Sequence, residues 1–135
     1  MSPAIFLAII IATAAFIYLT RPIRRTVDPK HAHAIDGDTL VIWRPGTKFS
    51  ERVRIENIDA PEMRTLGGLF INPRGLKARD ELSRLLANAT EVILIGPPRC
   101  DRYGRSLARV KVRIRGREKD VGAHLIRLGL ARAWI

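Results

Sequence analysis

SLARVKVRIR, residues 106–115, alternates apolar and cationic side chains from Ala108 onward. Ala108, Val110, Val112 and Ile114 fall on one side of an extended chain, and Arg109, Lys111, Arg113 and Arg115 on the other. That period of two belongs to a strand with one face on a core and one in water, and Gly116 ends it. Three more stretches have strand character. TLVIW (39–43) is rich in β-branched and aromatic types, ERVRIE (51–56) alternates with Val53 and Ile55 inward, and Glu91–Ile95 is short and apolar. Pro-Gly-Thr at 45–47 supplies a turn. Two helical patterns interrupt them. Ala78, Leu82, Leu85 and Leu86 form an i, i+4, i+7, i+8 stripe. Asp120 is suited to cap a second helix with the stripe Val121, Leu125 and Leu128, and Gly129 to end it.

This order predicts a mainly β, α+β fold of four or five short strands, with one helix between the third and fourth and another at the end. A small closed barrel of five strands decorated by two or three helices fits it, with the oligonucleotide-binding barrel as the natural candidate. In front of it, Pro3–Thr20 (PAIFLAIIIATAAFIYLT) carries no charge, and as a helix of 18 residues would span roughly 27 Å, near the lower limit for crossing a bilayer. Arg21, Arg24 and Arg25 follow at once. A cleaved signal peptide has a basic leader before its apolar run, and none precedes this one. The expected organisation is therefore a transmembrane anchor at 1–20, a basic linker at 21–30 and a folded domain at 31–135. The Lys and Arg count near the ends favours a cytoplasmic domain, whereas a degradative enzyme would more safely face outward, so the side stays open.

The chain has 135 residues, 24 Lys+Arg against 13 Asp+Glu, and a net charge of +11. Nineteen of the 24 are Arg, which favours phosphate-bearing partners over a merely soluble surface. The single Cys100 excludes an intrachain disulfide framework. His31 and His33 read as ordinary strand residues, and His124 as a helix-surface or core-edge residue.

Three charged clusters lie beside turn residues: Asp36-Gly37-Asp38-Thr39, Arg54 with Asp59-Ala60-Pro61-Glu62, and Asp101-Arg102-Tyr103-Gly104-Arg105. Carboxylates hold a hard divalent cation through oxygen. Asp38, Asp59 and the backbone carbonyl of Ala60, completed by waters, would make such a site, although acidic pairs in turns are as readily caps or solvated bends. Glu62 is placed to orient or deprotonate a water. Arg54 and Arg105 are candidates for phosphate oxygens and transition-state charge, with surface ion pairs to Glu56 and Asp101 as the plainer alternative. Tyr103 would donate a hydrogen bond or stack on a sugar or base. Arg109, Lys111 and Arg113 are candidate substrate contacts along a cationic strand face, or simply a solvated one.

Taken together, IDGDT (35–39), RIENIDAPE (54–62), DRYGRSLA (101–108) and VGAHLIRLGLARA (121–133) resemble the thermonuclease, or staphylococcal nuclease-like, family, in its order and with similar separations. The resemblance runs over roughly 31–135. It implies a five-stranded oligonucleotide-binding barrel and calcium-dependent hydrolysis of DNA and RNA, with magnesium or another divalent ion as an alternative cofactor. It also implies metal ligation by Asp38, Asp59 and the Ala60 carbonyl, a glutamate beside the attacking water at Glu62, phosphate binding by Arg54 and Arg105, and a tyrosine near the nucleotide at Tyr103. Ala60 is often threonine in the family, and MRTLGGLFINPRG (63–75) differs from the lysine-rich loop of some members. Trp134 reads as finishing a strand in the core, the alternative being an aromatic surface for a base.

The leading expectation is a membrane-tethered, metal-dependent nuclease whose partners are nucleic acid and, through residues 3–20, a lipid bilayer. A non-catalytic nucleic-acid-binding module is the second, motivated by the basic row. A structural domain lying on anionic headgroups is the third, and it leaves the co-occurrence of three acids and two arginines without a reason.

Overall fold

In a computed structural model, which describes residues 1–97 and 100–134, the alternating stretch becomes the centre of a sheet. The chain runs α1 (Pro3–Thr20), β1 (Ile23–Val27), a 3₁₀ turn (Pro29–His31), β2 (Ala32–Asp36), β3 (Thr39–Trp43), β4 (Ser50–Ile55), β5 (Ile58–Asp59), β6 (Arg64–Thr65), a second 3₁₀ turn (Leu66–Gly68), β7 (Phe70–Ile71), α2 (Pro73–Asn88), β8 (Glu91–Gly96), β9 (Ser106–Ile114), β10 (Arg117–Asp120), α3 (Val121–Arg127) and β11 (Arg132–Ala133). Of the domain expected at 31–135, residues 98, 99 and 135 lie outside the described residues.

The fold is mixed α+β, as expected, but the closed five-stranded barrel is not what forms. Seven strands make one sheet in the order β1-β8-β9-β4-β3-β2, with β10 also paired to β9. The reason lies in residues 21–30, read as a linker. Ile23–Val27 form an antiparallel ladder with β8 from Ile23↔Gly96 to Val27↔Val92. They occupy the edge of β8 that β2 would need to close a ring. The two edge strands, β1 and β2, follow one another in the chain, so covalent connection through the 3₁₀ turn joins the sheet's ends where a hydrogen-bond ladder was expected.

Val53 and Ile55 of β4, Val92 and Leu94 of β8, and Ala108, Val110 and Val112 of β9 build the core. The α2 stripe covers it: Ala78, Leu82, Leu85 and Leu86 are all buried. Truncating one such leucine to alanine costs about 2–5 kcal/mol, a large part of a small domain's stability. Asn72 caps α2 by accepting from the Arg74 amide at 3.1 Å, and Pro73 opens it without wasting a donor. Asp120 caps α3 through the Ala123 amide at 2.9 Å. The α3 stripe differs from expectation at one place. Leu128 is exposed, because the helix stops at Arg127 and Gly129 turns the chain with φ +71°. Leu130 then packs against the core instead.

The pairing also fixes the polarity of the sheet. β1, β2, β4 and β9 run in one direction and β3 and β8 in the other, and the last residues of β4 pair with the first of β9, so the half made of β2, β3 and β4 is offset along the strands from the half made of β1, β8 and β9. The charged turn clusters read from the sequence adjoin the level where the two halves overlap, with Thr39 opposite Arg54 and Arg54 opposite Leu107. β4 and β9 pair in parallel, with Arg54 opposite Leu107, while the remaining ladders are antiparallel.

Candidate active site

The turn between β2 and β3 enters the site through a glycine needed for space. A Cβ on Gly37 would lie 2.6 Å from the Ala78 Cβ and 3.0 Å from the Ala60 Cβ. Relief of the backbone is not the reason, since Gly37 is not among the positive-φ glycines. With the turn pressed between α2 and the segment after β5, its two acids clamp that segment. Buried Asp38 accepts the Ala60 amide at 2.8 Å on Oδ2 and the Thr39 hydroxyl at 3.1 Å on Oδ1. Asp36, which carried no assignment from sequence, accepts the Met63 amide at 2.9 Å. Ala60 itself is buried.

Arg54 lies at the centre. Its side chain is 17% exposed; Nη1 donates to the Ile55 carbonyl at 2.8 Å, and Nη2 stands 3.5 Å from Asp38 Oδ2 and 3.6 Å from Asp59 Oδ1. Asp38 and Asp59, which belong to separate turns of the chain, therefore face a single guanidinium nitrogen. The surface pair with Glu56 considered from sequence is not the one made. On its other oxygen Asp59 accepts from Arg132, 3.1 Å from Nη2 and 3.3 Å from Nε. Nothing local in the sequence points to Arg132. It arrives because β11 pairs with β5, register Arg132↔Asp59.

The loop before β9 is built around Asp101. Its Oδ1 accepts the amides of Tyr103 and Arg105, both at 2.9 Å, and its Oδ2 accepts Arg105 Nε at 2.7 Å. Burial works against ionisation, but these bonds outweigh it and hold the Asp101 carboxyl below its ordinary value. Arg105 thus makes the ion pair foreseen as its plainer alternative, and that bond uses Nε, leaving the two terminal nitrogens uncommitted to Asp101. Tyr103 is exposed, with the Arg102 and Arg105 guanidinium carbons 5.0 and 5.3 Å from its ring centroid. Arg54, Arg105, Glu56, Asp101 and Trp134 line one groove of about 380 Å³. Trp134 is 57% exposed and tied by its amide to the Asn57 carbonyl at 2.9 Å. The core placement read for it does not hold.

Glu62 is exposed, and its side chain makes no hydrogen bond among the described residues. Its main chain is fixed all the same: a Cβ on Gly75 would lie 2.2 Å from the Glu62 carbonyl oxygen, so the first turn of α2 abuts it. The basic row on β9 carries its own counter-charges. Arg109 pairs with Asp120 at 2.6 Å, Lys111 with Glu118 at 3.8 Å, and Arg113 with Glu91 and Glu118 at 2.9 and 3.1 Å. The free cationic face expected there is a network of ion pairs, whose acidic members come from β8 and β10.

Among the described residues no three or more His, Cys, Asp or Glu side chains form a metal cage. The donor chemistry still fits a hard divalent cation. Two carboxylates turned to one point are the protein share of sites that take their remaining oxygens from water and phosphate.

The sequence model of one protein family, described as staphylococcal nuclease homologue, matches residues 52–135, more than half of the chain. The match spans Arg54, Asp59, Glu62 and Arg105 and begins after the Asp38 turn. No curated protein matches the chain.

Proposed function

The chain belongs to the staphylococcal nuclease family, and we propose that it hydrolyses phosphodiester bonds of DNA or RNA in the groove between Arg54 and Arg105. One observation carries this reading. The guanidinium that lines the groove is the same one that two carboxylates face, 3.5 and 3.6 Å away. Phosphate-binding cations and cation-binding anions thus meet at one place.

In this reading Arg54 and Arg105 donate to the non-bridging oxygens of the scissile phosphate and balance the charge that grows as the phosphorus becomes five-coordinate. Asp38 and Asp59 would hold a calcium or another hard divalent ion, the Ala60 carbonyl contributing. Such an ion, when bound, polarises phosphate oxygen and lowers the pKa of water. Glu62, solvent-facing on a rigid main chain, orients the attacking water and accepts its proton. Trp134 and Tyr103 offer π-faces on which nucleotides flanking the cleaved bond stack. The domain takes in residues 31–135 together with β1. The exposed α1, with no buried residue along its 18, is long and apolar enough to cross a membrane and serves as the anchor.

Nuclease assays on the full chain in detergent, on DNA and RNA, with calcium, magnesium or chelator, test this. Cleavage with divalent ion and none with chelator is expected. Salt-sensitive binding without cleavage under every condition would leave the binding-only module in its place.

A further inference from the structure

A second cavity, of about 540 Å³, is lined by Pro61, Arg74, Lys77 and the chain from Gly129 to Arg132. Three stretches of the sequence meet there. Pro61 stands between Ala60 and Glu62. Arg74 and Lys77 are three positions apart on the first turns of α2, and the turn at Gly129, with φ +71°, leads the chain on to Arg132. Three of the lining side chains are cations and none is an acid.

The fold alone gives no reason for that charge. The other cations of α2 have acidic partners, Arg79 with Asp80 at 2.9 Å and Arg84 with Glu81, whereas Arg74 and Lys77 pair with no acid among the described residues. Residues three apart are neighbours on a helix surface, so these two repel one another. Arg74 also sits in the first turn, which holds no acid, where the helix dipole disfavours a cation. Arg132 spends Nε and Nη2 on Asp59, and its remaining terminal nitrogen carries donors for another acceptor.

The ligand follows from what lies next door. Arg54 stands 3.6 Å from Asp59 Oδ1 and lines the groove, while Arg132 stands 3.1 Å from Asp59 Oδ2 and lines the cavity. One carboxylate therefore separates the two. A strand whose scissile phosphate rests on Arg54 meets the cavity's cations a short step along its backbone.

We propose that the Arg74–Lys77–Arg132 cavity holds a second phosphate of the same DNA or RNA strand, beside the cleaved one, so that a polymer is bound at two points. This rests on the nuclease reading, and the test separates the two. The full chain in uncharged detergent, its Arg74→Gln/Lys77→Gln variant and a control with the same charge loss, Lys48→Gln/Arg117→Gln, are given a thymidine dodecanucleotide with calcium or magnesium. Lys48 and Arg117 are exposed and line neither cavity. Anisotropy of the fluorescein-labelled dodecanucleotide, with chelator, is read across a salt series. In the α2 variant KM is expected to rise about tenfold, the worth of a charge-assisted contact, with the loss in KM and not in kcat. Its slope of log Kd against log salt falls by about 0.7, one phosphate contact on a single strand. Arg74→Lys/Lys77→Arg restores both. An equal loss in the control assigns the effect to net charge and overturns the site. A loss in kcat, or no loss, also overturns it and leaves the nuclease. A parent that cleaves nothing overturns the nuclease reading. The anisotropy then decides alone: parent-like affinity in the α2 variant overturns the site, and a loss confined to that variant upholds it.

Discussion

Arg132 donates from Nη2 to the Oδ2 of Asp59 across the β5–β11 pair, at 3.1 Å. The carboxylate proposed to hold a divalent ion is thereby shared between two guanidiniums, Arg54 on one oxygen and Arg132 on the other. Arg132 is well exposed, so the bond is cheap to break. It competes for Asp59 without closing the site.

Arg132→Ala therefore raises the affinity for calcium by up to about fivefold, the worth of one exposed pair. Isothermal titration of the full chain in detergent reads it directly. A drop in affinity instead would show that Arg132 aims the carboxylate and does not rival the ion.

Arg105→Ala and Arg54→Ala each lower turnover by about 10²–10³, the usual cost of removing a transition-state donor. Glu62→Gln lowers turnover severely as well, yet leaves the melting temperature unchanged, because its side chain is exposed and bonds to nothing described. Steady-state kinetics beside thermal melts separate the two kinds of loss. Near-normal rates in all three variants would end the catalytic assignment.

Gly37→Ala destabilises the domain by about 1–3 kcal/mol through overpacking, because the new methyl falls 2.6 Å from the Ala78 Cβ. Adding Ala78→Gly restores part of the loss despite glycine's own cost in a helix, a coupling that a double-mutant cycle in urea measures. Additive losses would mean that the turn, and not the α2 contact, takes up the strain.

Acid weakens the α2–α3 contact at a definable point. The Glu81 carboxylate accepts from Arg84 Nε at 3.0 Å and lies 2.8 Å from His124 Nε2. The Arg84 bond, against the opposing effect of burial and with help from His124, lowers the Glu81 pKa from 4.5 to about 2. The folded state thus binds this proton less readily than the unfolded one. The stabilisation is complete above the unfolded value and disappears as pH falls through 4.5 toward about 2. Urea unfolding of Glu81→Gln should show a flatter acid limb than the parent between pH 5 and 2. Parallel limbs would remove Glu81 from the account.

Strands with a buried face were legible in the sequence. Thr39–Trp43 matches β3 at both ends, and β4, β8 and β9 fall within a residue of their patterns. Strands held by ladder bonds alone were not. β1 is exposed over four of its five residues, and β10 reads Arg-Glu-Lys-Asp, so neither carries an apolar period. The turn clusters named most of the residues that gather around Arg54. Long-range register decided the rest: it brought Arg132 onto Asp59, set the β9 cations against Glu91, Glu118 and Asp120, and left Trp134 on the wall of the groove.

The parallel union of β4 with β9 sets an order of events during biosynthesis. A nascent chain that has emerged through α2 already carries Arg54, both aspartates and Glu62, yet Arg54 has no Leu107 beside it and no Arg105 across from it. Contacts so distant along the polypeptide form late, after loop closure has been overcome. The groove proposed to hold the scissile phosphate therefore stays incomplete until Arg105 and β9 have left the ribosome.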